Sequence, residues 1–99
     1  MIYIIICKFG DHPYIAERPL ADCGYERTLQ DLMDNNFPDI RHVIHADYIA
    51  GTSADVSAPI ASELLRIAIG RFDKFQPDDG RLAFIEEHLG CRRANAVRA

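Results

Sequence analysis

The sequence predicts an α+β domain, a small three-stranded mixed sheet with helices packed on one face, in the order β-β-α-β-α-α. Three observations lead there. Residues 1–9, "MIYIIICKF", are a β-branched and aromatic run without alternation. Two later segments repeat apolar residues at the spacing of a helix face. The breaker clusters "GDHP", "NNFPD" and "QPDDG" separate these segments into elements of ordinary length.

The first run reads as a strand covered on both faces, near the centre of the sheet. Gly10, Asp11 and Pro13 then make a turn, and "YIAE" after it pairs back as a short edge strand that Pro19 stops. Asp22 is placed to cap a helix running to about Asn35, with Tyr25, Leu29, Leu32 and Met33 on its apolar stripe. An asparagine in "NNFPD" suits the left-handed position after that helix, and Pro38 forbids continuation.

Residues 40–50, "IRHVIHADYIA", read as a second long strand. Alternation puts Ile40, His42, Ile44, Ala46 and Tyr48 on its apolar face. Pairing of this strand with the first through the intervening helix would need a right-handed crossover. The following loop, "AGTSADVS", leads into a helix from about Ser57. There Ile60, Leu64, Ile67, Ala68, Phe72 and Phe75, widened by Leu65 and Ile69, mark the most buried helix of the domain. Gly70 inside it suggests close packing or a bend. Asp78 or Asp79 caps a last helix, "RLAFIEEHL", and Gly90 ends it.

Ninety-nine residues, 48% hydrophobic and 26% charged, make one domain with a modest core. Residues 1–90 form the compact body, and 91–99, "CRRANAVRA", read as a flexible basic tail. The tail holds three of the 11 basic residues and no acid, which leaves 8 basic against 15 acidic side chains in the body. Such a body repels a phosphate backbone, which argues against direct nucleic-acid binding, and attracts a basic protein surface. A three-stranded sheet leaves two edges exposed, and edge pairing in a homodimer would cover them.

Cys7, Cys23 and Cys91 form neither an even set nor a C-x-x-C pair, so reduced thiols are expected, with Cys7 in the core. The apolar start lacks a basic n-region, and no stretch approaches the ~20 apolar residues of a membrane span. The expected location is the cytoplasm.

For chemistry, "AGTSADVS" comes first. Its amides precede a helix N-terminus, so Thr52, Ser53 and Ser57 are candidates for holding an anion. It has one glycine and no lysine, and Asp55 within it would repel a phosphate, so no phosphate loop is complete. Capping by Ser57, with Asp55 closing the loop, is the simpler role. Ser53 or Thr52 with His45 and Asp47 supplies the residue types of a hydrolase, but His45 and Asp47 lie about 7 Å apart along a strand and no G-x-S-x-G elbow is present. His42 and His45, three apart in a strand, fall on opposite faces and cannot share an ion, so neither metal nor cofactor is expected.

The remaining signal is acidic. On the first helix Glu26, Gln30 and Asp34 form a row flanked by Asp22 and Asp31, and Asp39 follows the helix. Like charges at i, i+4 cost a few tenths of a kcal/mol each, so the strip is not tuned for helix stability. The sequence therefore favours a non-catalytic acidic binding module, an adaptor or inhibitor. It would dock Asp22, Glu26, Asp31, Asp34 and Asp39 onto a basic partner, one that can itself bind nucleic acid. The alternative is a small enzyme or anion-binding domain centred on Gly51–Ser57 and His45.

Overall fold

The computed structural model describes residues 1–99 and is α+β, with four strands rather than three and no parallel pair. β1 (Ile2–Phe9), β2 (His12–Ile15), β3 (Ile40–Asp47) and β4 (Thr52–Asp55) lie in the order β2-β1-β3-β4, every neighbouring pair antiparallel. The expected mixed sheet with a right-handed crossover is thus corrected. The extra strand comes from "AGTSADVS", expected as a loop. Asp47 Oδ1 accepts from the Ile49 and Ala50 amides, and Gly51 takes φ +72°, which turns β3 back on itself as a hairpin.

Pairing across the sheet sorts the side chains. Tyr3 faces His45, Ile5 faces Val43 and Cys7 faces Ile40 on one side; Ile2, Ile4 and Ile6 face Ala46, Ile44 and His42 on the other. The register shifts between Ile6 and Cys7, so Arg41 is an extra residue and Ile40 joins Val43 on the same face. This bulge overturns the simple alternation expected of β3. Ile5, Cys7, Ile40 and Val43 are buried in the core, whereas Ile2, Ile4, Ile6, Ile44 and Ala46 are only partly covered. β1 is therefore central but has one covered face, not two.

The helices supply that cover. A 3-10 turn at Leu20–Asp22 precedes α1 (Tyr25–Met33), whose N-cap position is Gly24 and not Asp22. Asn35, at φ 57°, ends the helix in the left-handed conformation. α2 (Ser57–Gly70) buries Ile60, Ala61, Leu64, Leu65 and Ala68. Nothing packs closely on Gly70, which simply lies at the helix end. α3 (Gly80–Leu89) is capped by Asp79, which accepts from the Arg81 amide, and buries Leu82, Phe84 and Ile85. A Cβ on Gly80 would stand 2.9 Å from the Pro38 carbonyl oxygen, so this position needs glycine to let the two loops meet.

The last nine residues are not a free tail. α4 (Cys91–Ala94) and a 3-10 turn at Asn95–Val97 fold back and bury Ala94 and Val97 completely. The Phe75 amide donates to Val97 O (2.6 Å), the Ala99 amide donates to Phe75 O (2.8 Å), and Arg98 pairs with Glu86. Two apolar side chains at i, i+3 and a strand-like bridge to Phe75 hold the segment down. No helix is long and apolar enough to cross a membrane.

Candidate functional site

The expected acidic strip does not survive as a unit. Asp31 is buried at 6% exposure and faces inward. Arg18, which reaches it from the segment before α1, has a side chain only 5% exposed. Its guanidinium donates to Tyr3 O (2.6 Å), Asp22 O (3.0 Å), Thr28 Oγ1 (3.0 Å) and Asp31 Oδ2 (3.5 Å). Arg27, one helical turn before Asp31, donates to its other oxygen at 3.0 Å. Asp31 is thus a structural anchor between β1, the 3-10 turn and α1, and Asp22 contributes a backbone carbonyl to the same knot.

Glu26 and Asp34 are exposed as expected. They border a groove of about 310 Å³ between α1 and α2, whose far wall carries Arg66 and Arg71. Part of their charge is therefore answered within the chain. Asp39 is half-buried and accepts from Arg41 Nη2 at 3.3 Å.

A second groove, about 510 Å³, crosses the C-terminal end of α1 between Asn35–Pro38 and Gln76–Gly80. Its walls are polar side chains, with Pro38 and Gly80 the exceptions. Asp78 and Asp79 line it, and Asp34 and Asp39 flank the residues of its other wall. Arg81 follows this wall in sequence and is turned inward. It donates to Asp79 Oδ2 (2.8 Å) and Oδ1 (3.0 Å) and to Met33 O, and lies 4.3 Å over the Phe75 ring. Burial pushes the Asp79 carboxyl up; the hydrogen bonds from the Arg81 side chain and amide outweigh this and hold it below the usual carboxylate range. Asp78 remains exposed. In the sequence Asp78 and Asp79 read only as alternative caps, and no local signal shows that the two loops meet.

The anion site expected at Thr52, Ser53 and Ser57 is dispersed. Thr52 and Ser53 lie exposed on β4, while Ser57 is buried. The Ser57 amide donates to Asp55 Oδ1 (2.8 Å), and its Oγ accepts from the Val43 amide (2.9 Å). Asp55 therefore closes the start of α2, and the cap expected from Ser57 is instead a tie to β3. Burial raises the Asp55 carboxyl, but contacts from Ser57 and His42 prevail and lower it. His42 Nδ1 sits 2.9 Å from Asp55 Oδ2.

His45 stacks on Tyr3, with ring centroids 4.8 Å apart, on the helix side of the sheet. Asp47 is spent on the hairpin turn. Ser53 or Thr52, His45 and Asp47 are thus not brought into one relay. Nor do three or more histidine, cysteine or acidic side chains converge as a metal site. Comparison of the chain with family models, with curated proteins and with solved structures gave no match.

Proposed function

We propose that this chain is a small, acidic, non-catalytic protein-binding module, an adaptor or inhibitor acting in the cytoplasm, that docks onto a basic protein surface. The surface it recognises is of the kind that can also hold nucleic acid. The observation that carries this reading is the acid-lined groove at the end of α1. Asp78 and Asp79 line it, Asp34 and Asp39 adjoin its other wall in sequence, and Arg81, which pairs with Asp79, is committed inward. The docking end is thereby shifted from the strip expected along α1: Asp78 enters it, Asp34 and Asp39 adjoin it in sequence, and Asp31 leaves it. A net charge of −4 on the whole chain adds long-range attraction toward a cationic partner and speeds encounter more than it deepens affinity.

An arginine-rich peptide tests this. Titrated into labelled protein at low salt, it should shift amide resonances of residues 34–39 and 76–80 first, with the effect fading as ionic strength passes about 0.15 M. Asp34→Asn with Asp78→Asn should weaken binding, whereas Glu63→Gln, on α2, should not. Shifts spread evenly over the acidic surface would discard the reading.

A further inference from the structure

The helices cover one face of the sheet and leave the other open. On that open face lie Ile2, Ile4, Ile6, Ile44 and Ala46, with Ile15 beside Ile6 on β2. None belongs to the hydrophobic core. Where β2 ends, the segment to Leu20 leaves a groove of about 700 Å³ beside Ile2 and Ile4, walled also by Ile15, Pro19 and Leu20. Ile15 is 63% exposed and Leu20 70%. The face and the groove form one continuous apolar surface, and a monomer gains nothing by keeping it in water.

We propose that this surface is the interface of a homodimer, in which the open sheet faces of two copies of this chain pack on each other. Charge selects this occupant. Alternation and pairing place Lys8 and Asp55 on this face, and Glu17 and Arg18 line the groove, so two cations balance two acids and the chain's net charge of −4 lies elsewhere. A basic partner finds nothing there to attract it. A second acidic copy can approach this face without bringing like charges together. The carboxyl of Asp55 is moreover held at the rim by His42 and Ser57.

Area agrees. Two strands of eight residues and two of four, about 4.8 Å apart and rising about 3.3 Å per residue, cover roughly 380 Å². With the groove wall the face reaches roughly 490 Å² per copy, or about 980 Å² for the pair, close to the ~1,000 Å² of a specific interface and in the range of a weak one. The association is isologous, with the sheets about 10 Å apart, and of modest strength. Pairing at the sheet edges offers less, because β2 and β4 are each four residues long.

Sedimentation velocity across about 1–200 μM protein decides the matter, a range suited to an interface of this size. Wild type should pass from one chain to two. Ile44→Lys sets a charge in the middle of the face and should raise the dissociation constant at least about tenfold while leaving the circular dichroism spectrum unchanged. Ile15→Lys, on an already exposed side chain, serves the same purpose if Ile44→Lys does not fold. Phe72→Lys, 89% exposed and off the sheet, should leave the dimer intact. A wild type that stays monomeric throughout, or a dimer indifferent to the lysines on the sheet face, overturns the proposal.

Discussion

Replacing Arg18 by methionine removes the charge from the knot at β1 and α1 but keeps most of the stem. Four acceptors lose their donor at once: the Tyr3 and Asp22 carbonyls, the Thr28 hydroxyl and Asp31 Oδ2. Both members of the ion pair are under 10% exposed, so water does not replace the lost partner freely. Breaking a buried pair by deleting one partner costs about 3–5 kcal/mol. Arg27 stays 3.0 Å from Asp31 and softens the loss, which puts the expectation near 3 kcal/mol. A chain of this length has a total stability of roughly 5–15 kcal/mol, so the loss is a large share of it. With a urea slope of about 1–3 kcal/mol per molar, the unfolding midpoint should fall by about 1–3 M. Adding Asp31→Leu to Arg18→Met should recover much of this, because an apolar pair no longer strands a charge. A midpoint shift below about 0.5 M for the single variant would show that the knot is not holding α1 to the sheet.

Ser57→Ala orphans the buried Val43 amide and should cost about 1–3 kcal/mol, while Ser53→Ala, exposed on β4, should leave the urea midpoint unmoved. Asp79 has its folded-state carboxyl held low, so its contribution is present above the unfolded value of about 3.9 and is lost as pH falls through the folded one. Asp79→Asn should therefore flatten the decline of thermal midpoint below about pH 4, and an unchanged slope would count against the Arg81 contact. Val97→Ala should cost roughly 1.5–3 kcal/mol by calorimetry if the C-terminal segment is part of the core, and almost nothing if it is a tail.

Elements whose own side chains carry a strong signal were legible in the sequence. The unbroken run of β1, the wide stripe of α2, the Asp79 cap and the helix ends at Asn35 and Gly90 all express local rules. β4 was hidden because "TSAD" buries nothing: its four residues are exposed, and hydrogen bonds to β3 through the backbone make it a strand. The C-terminal segment was hidden for a related reason. Ala94 and Val97 are two small apolar residues among arginines, and only the position of Phe75 shows that they have somewhere to go.

The acidic strip failed differently, and the failure is instructive about α1. Leu29, Leu32 and Met33 mark the apolar stripe, but Thr28 and Asp31 lie three apart along its flank and are as buried as the stripe itself. A carboxylate in that row is stable only with a cation from another segment, because an unpaired buried charge costs several kcal/mol. Arg27 is visible one turn away but sits 56% exposed, so it cannot be the whole answer. The missing cation, Arg18, is thirteen residues away behind Pro19 and a 3-10 turn, and no periodicity connects it to α1. Charge counted along one helix therefore separates neither Glu26 from Asp31 nor a docking surface from an anchor. It is the fold that turns Asp31 inward and brings Asp78 and Asp79 against Asn35, Asn36 and Pro38 around one groove, next in sequence to Asp34 and Asp39.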